Sequence, residues 1–139
     1  MLSIAAQEAD IVGINVKTTA TGGFDVSSLT PEATDQKVAW VQAAAGARFA
    51  ALELSALVPF VAVTDKQQEV AARYVQDWGI AESMTPQQLV ASPHSVIGSV
   101  DQISERLQAH RERYTCSYFV IHDYNMEQFA PIVARLTGM

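Results

Sequence analysis

Val96–Asp123, VIGSVDQISERLQAHRERYTCSYFVIHD, is the stretch that decides the fold. Val96-Ile97-Gly98 offers the backbone a place to turn. Ser99 and Gln102 then have the spacing of a capping box, in which the Ser99 hydroxyl accepts the third helical N–H and Gln102 reaches back to the Ser99 N–H. A helix is predicted from there. Val100, Ile103 and Leu107 fall on one face of it, and Glu105, Arg106, Gln108 and Arg111 on the other. Ser117–Ile121, SYFVI, is too short and too apolar for an amphipathic helix, and its β-branched and aromatic content predicts a strand buried on both faces. The unit is therefore loop, helix and a buried, parallel strand.

The same alternation runs through the rest of the chain. Leu2–Ala9 has helical spacing and reads as a helix cut off at its start, since no cap or earlier element precedes it. Asp10–Val16 is an apolar β-branched run, read as a strand, followed by Lys17–Ser28, KTTATGGFDVSS, a long polar loop of the kind that forms functional lids or is simply mobile. Thr30-Pro31-Glu32 is a helix start, with Gly46 as the stop after about Ala45. Phe49–Leu54 predicts a third strand. Leu57–Val63 is extended but broken by Pro59, so it takes an edge or irregular role. Asp65 is the expected cap of a helix ending near Gly79, Thr85-Pro86 starts a short one, and Met126, Phe129, Ile132, Val133 and Leu136 form the stripe of the last, in which Pro131 marks a kink or a new start. Strands alternating with helices predict an α/β fold with a parallel sheet. About three good strands leave two unpaired edges, which something else must cover.

Composition narrows the function. The 139 residues fit one domain, and with 49% hydrophobic and 17% charged residues the chain is neither disordered nor fibrous. No apolar run approaches the ~20 residues of a membrane helix, and the first residues lack the positive n-region of a signal peptide, so a cytoplasmic protein without membrane association is expected. A net charge of −6 argues against nucleic acid as a partner. The single Cys116 excludes an internal disulfide, and three scattered histidines make no metal signature, so no metal is expected.

Several residues have the chemistry of a site. The Gly98-Ser99 helix start is either an anion seat or an ordinary cap. His94, next to Pro93, is a candidate acid, base or phosphate contact, or a solvent-exposed loop histidine. His122-Asp123 follows the last strand, where polar residues are expected in any case. Glu53, among apolar neighbours, either faces a pocket or pairs with Arg48. Asn15 either binds a ligand or starts a turn. Trp40 reads as core.

Glu8–Val16 (EADIVGINV), Lys37–Phe49 with Ala51–Ser55 (ALELS), Ser92–Leu107 (SPHSVIGSVDQISERL), and RERY with SYFVIHD together resemble the C-terminal half of the luciferase-like monooxygenase family, in its coenzyme F420-dependent oxidoreductase branch. The resemblance covers nearly the whole chain. It implies a half of a (β/α)₈ barrel that is roughly twice as long when complete, with F420 or FMN bound at the C-terminal ends of the strands. It implies that Ile97, Gly98 and Ser99 lie near the cofactor's phosphate-bearing tail. His94, Glu53, His122 and Asp123 are then the catalytic candidates, and Asn15 a further cofactor contact. The family's glycine-rich phosphate-binding segment has no counterpart before Leu2, and Thr115 stands where the family tends to have glycine. Two readings follow. One is an F420- or flavin-dependent enzyme acting on a small molecule, with its half barrel completed by a second copy into a homodimer or larger assembly. The other is a homologue without redox chemistry, working as a cofactor-independent cyclase, isomerase or lyase, or as an assembly subunit.

Overall fold

A computed structural model describes residues 1–138. Helix α1 (Leu2–Glu8) leads to strand β1 (Ile11–Gly13), helix α2 (Pro31–Ala45), strands β2 (Glu53–Leu57) and β3 (Phe60–Val63), and helices α3 (Gln67–Asp77) and α4 (Pro86–Ala91). Strand β4 (Ser95–Gly98), helix α5 (Val100–Tyr114), strand β5 (Cys116–Val120) and helix α6 (Met126–Leu136) complete it. The pairings between these strands are parallel: β1-β2-β5 forms one sheet and β3-β4 a second, while the loop after β1 carries a single antiparallel bridge, Thr18 to Phe24. The chain is thus α/β, a partial TIM-type barrel of parallel strands alternating with helices.

The joint between the sheets is Val58-Pro59. Val58 still donates to the Val120 carbonyl, at 2.8 Å, but Pro59 has no N–H to give, and past it the chain pairs with β4 instead. Proline here divides one extended run into two strands, and β3 takes the edge role expected of it, as a regular strand of the two-stranded sheet.

Local signals hold where the partners lie within one turn of chain. Thr30 caps α2 with Pro31 in its first turn, and both Thr85–Gln88 and Ser99–Gln102 form complete capping boxes. Asp65 does not cap α3; the N-cap is Lys66, without a side-chain hydrogen bond. Phe49–Ala51 belongs to a 3-10 turn, so the third predicted strand starts later, at Glu53. Val96-Ile97-Gly98 is strand β4, not a turn, and all four of its residues are buried.

The two sheets differ in how they are covered. β3-β4 is sandwiched: Phe60 and Ile97 pack with Leu29, Ala71, Val75 and Leu89 on one side, while Val61 and Val96 pack with Ile103, Leu107, Phe129 and Ile132 on the other. In β1-β2-β5 only Val12, Ile14, Leu54, Ala56 and Cys116 are enclosed, beneath α1, α2 and α5. The opposite face, carrying Ile11, Gly13, Ser55, Leu57, Tyr118 and Val120, is open, and Tyr118 and Ile11 are each about half exposed. The burial of β5 on both faces expected from SYFVI is therefore not observed, and Trp40, read as core, is 54% exposed.

Helix α5 ends on Thr115 at φ 54°, ψ 21°, the one non-glycine residue with positive φ among those described. A left-handed turn is needed to deliver Cys116 to the sheet, and a β-branched residue adopts it at a cost. Thr115→Gly is expected to stabilise the fold by about 0.5–1 kcal/mol, the strain relieved less the extra chain entropy of glycine. Urea unfolding curves of the two proteins at neutral pH measure it, and an unchanged or lower midpoint would contradict the strain.

Candidate functional site

The C-terminal ends of the strands bring together some of the sequence candidates and leave out others. Asn15, just past β1, accepts the Leu57 N–H on its Oδ1 at 2.8 Å, and its own carbonyl accepts from Lys37 Nζ at 2.9 Å. Asn15 thereby extends the β1–β2 ladder by a side chain and stands exposed at the edge of the open face. His122 and Asp123 follow β5, whose end pairs with Leu57. The His122 ring stacks on Tyr124 at 5.2 Å, and the Asp123 carboxylate accepts the Tyr124 N–H at 2.9 Å. Glu53 is at the other end of β2. It is exposed, and Arg48 pairs with Asp10 at 3.1 Å, not with Glu53. The Arg48-paired alternative for Glu53 therefore falls away.

His94 is fully buried, against the expectation of an exposed loop. Its Nδ1 lies 3.1 Å from the Leu57 carbonyl, so the Nδ1–H tautomer donates there and leaves Nε2 as an acceptor. That Nε2 has no partner among the described residues, nor do Ser95 Oγ or His110 Nδ1. His94 and His110 line one small enclosed cavity with Ile14, Thr34, Cys116 and Phe119. Burial depresses both imidazoles to about 4; the Leu57 carbonyl partly offsets this at His94, while the charges of Arg106, His94 and Arg113 add to it at His110. Burial likewise pushes the Cys116 thiol up to about 11, which makes it an inert core residue. Among the described residues no group of three or more His, Cys, Asp or Glu is placed to hold a metal ion, and no helix is long and apolar enough to cross a membrane.

His110 did not stand out in the sequence, yet a signal was there. Ile103, Leu107, His110 and Tyr114 follow a four-three-four spacing that marks one buried stripe of α5.

The Gly98-Ser99 start of α5 is closely covered. Ser99 N–H donates to Gln102 Oε1 at 2.9 Å, Gln102 N–H returns to Ser99 Oγ at 3.2 Å, and Gln67 Nε2 donates to the Ile97 carbonyl at 2.7 Å. Ile97 and Gly98 are buried. Asp101 in the first turn already places a carboxylate at the positive helix end and pairs with Arg135.

A cleft of about 730 Å³ lies where none of these residues are. Phe24–Ser27 of the long loop and Thr30–Glu32 form one wall, and Met84 and Gln88 the other. Phe24 anchors the loop by stacking on Trp78 at 5.2 Å, and Lys17 and Asp25 close its base through a backbone hydrogen bond of 2.8 Å and an ion pair at 3.7 Å. The cleft follows the C-terminal end of β1, and its size and mostly apolar lining suit a small organic ligand.

No family model matches the chain, and no curated protein matches it. Among solved structures it is similar to a long-chain alkane monooxygenase, with TM-score 0.60 and 12% identity over 97% of this chain. A monooxygenase from Streptomyces bottropensis also aligns, with TM-score 0.46 and 14% identity over 87% of this chain and 36% of that one. The chain spans 38% of the alkane monooxygenase, and at such identity the likeness is one of fold.

Proposed function

We propose that this chain is the C-terminal half of a luciferase-like oxidoreductase acting on a small organic molecule with coenzyme F420 or FMN. The observation that carries the reading is the open face of β1-β2-β5, bordered at its C-terminal end by Asn15, His122 and Asp123, since (β/α)₈ enzymes do their chemistry at that end. The 730 Å³ cleft beyond β1 is not lined by these three residues and is a separate place where a small molecule fits. The residues present fit the cofactor's phosphate-bearing tail in part. The Ser99 N–H is taken by Gln102, so the donors left at the start of α5 are the N–H groups of Val100 and Asp101, held in place by Ile97 and Gly98. When bound, the cofactor supplies hydride transfer. Asn15 orients a ligand against the sheet, and His122, held by Tyr124 and followed by Asp123, moves a proton at its imidazole. His94 acts from behind the sheet by holding the Leu57 carbonyl.

Titration with reduced F420 and with FMN, followed by absorbance and equilibrium dialysis, tests this. Saturable binding weakened by Asn15→Ala or His122→Ala is expected, and no binding at several hundred micromolar (about −5 kcal/mol or weaker) would overturn it.

The reading without redox chemistry is favoured by the same helix start, where Gln102 and Asp101 already satisfy part of what a phosphate would use. Turnover of a small substrate with neither F420 nor flavin present would select it.

Either way the open face is closed by a second copy. β1 and β5 are free edges of a parallel sheet, so a two-fold axis along the strands sets β1 of one protomer against β5 of its partner and brings Ile11, Tyr118 and Val120 of both together. Light scattering at micromolar concentration is expected to give a dimer or larger, with Tyr118→Glu dissociating it; a monodisperse wild-type monomer would refute the assembly.

A further inference from the structure

A second cleft, about 480 Å³, runs along α5 beside Gln67 of α3 and Ala91 of α4, and Gln102, Glu105, Arg106, His110 and Arg113 line its α5 side. Its charges are not balanced. Arg48, Arg73, Arg113 and Arg135 each have a carboxylate partner, and Arg113 grips Asp35 with two hydrogen bonds, of 2.6 and 3.1 Å. Arg106, predicted on the solvent side of the helix, is half-buried and has no ion pair or hydrogen bond among the described residues; neighbouring Glu105 lines the cleft without pairing to it. Burial lowers the pKa of this guanidinium, and Tyr114 offsets the effect only in part, so the charge is drawn from water without a carboxylate beside it. Beside it, Gln102 uses Oε1 in the capping box and keeps its Nε2 donors.

The structure assigns to Arg106, with Gln102 beside it, a binding site for the oxyanion of a small molecule, a carboxylate or a phosphate, in the cleft that α5 forms with Gln67 and Ala91. The guanidinium fork matches two oxygens of such a group, and the cleft has room for the body that carries it. The groups facing His110 give it a reporter. Arg106 and Arg113 oppose its protonation, His94 adds to them, and Glu105 and Tyr114 border it, so an anion neutralising Arg106 moves the His110 titration upward.

NMR of the whole chain, following the Arg106 side-chain N–H and the His110 ring, tests the site with inorganic phosphate and with acetate, each up to about 20 mM at ionic strength fixed with chloride. The expected result at neutral pH is a saturable shift of the Arg106 signal, accompanied by a shift of the neighbouring His110 ring signals. Arg106→Gln is expected to weaken binding about tenfold or more, while Arg73→Gln leaves it unchanged. A response to phosphate alone or acetate alone identifies the ligand class. No saturable shift, an equal response to chloride, or full binding in a folded Arg106→Gln would each overturn the proposal; the wild-type Arg106 signal decides it even where that variant does not fold.

Discussion

Acid is expected to weaken this fold well before its carboxylates are neutralised. His94 and His110 are buried and neutral, with pKa values near 4 against an ordinary 6.5. Between those limits the unfolded chain binds protons that the folded chain does not, so stability rises with pH. The contribution of both histidines is fully present above about pH 6.5 and is lost progressively as pH falls toward 4. Each is worth on the order of 3 kcal/mol across the whole window, a large part of the 5–15 kcal/mol typical of a domain. Over pH 5–6.5 most carboxylates stay ionised, which isolates the histidine effect. Urea unfolding at pH 7, 6 and 5 should show the free energy falling with a slope approaching two protons taken up per molecule. His110→Gln should reduce that slope by about one proton. A slope of zero over this range would mean that water reaches the imidazoles and that the cavity between α5 and β1-β2-β5 opens in solution.

The same two histidines show where sequence reading stops. A capping box is written within four residues, so Thr85–Gln88 and Ser99–Gln102 were legible without any knowledge of the fold. The parallel alternation was legible too, because it follows from the order of apolar runs. The environment of His94 was not, because it depends on the Leu57 carbonyl, 37 residues away, and on a helix that comes later in the chain. The apolar run SYFVI suggested burial on both sides, but apolar content does not say which chain covers it. In this chain α5 covers the Cys116 side and nothing covers Tyr118. Glu53 was misplaced by a shift of strand start: Gly46–Ala51 winds into a 3-10 turn, so the glutamate begins the strand at its exposed end. Arg106 followed the helical period correctly, and only the packing of neighbouring elements made a solvent position into a cleft.

Gly98→Ala is expected to have the largest effect of any single methyl group added to this chain. Gly98 has φ 152°, a conformation that residues with a Cβ rarely adopt, and this alone costs on the order of 1–3 kcal/mol. A Cβ built there would lie 2.7 Å from Gln102 Oε1 and 3.0 Å from Gln67 Nε2. Both amides must then move. Gln102 would lose its bond to the Ser99 N–H and with it half of the α5 capping box, and Gln67 would lose the Ile97 carbonyl. Loss of a cap adds about 1 kcal/mol, so the total is about 2–4 kcal/mol, a fall in Tm of roughly 5–15 °C for a domain of this size. The bond from Thr64 N–H to the Gly98 carbonyl, 2.8 Å, ties β3 to this same residue, so hydrogen exchange should speed up at Thr64 and through the first turn of α5 before the rest of the chain responds. Ser99→Ala separates the two contributions, since it removes the hydroxyl half of the cap and leaves the backbone of residue 98 unstrained. Its loss should be about 1 kcal/mol. If Gly98→Ala were no more damaging than Ser99→Ala, the backbone at the end of β4 would be free to relax, and the close cover of Gln67 and Gln102 over this helix start would not be what fixes it.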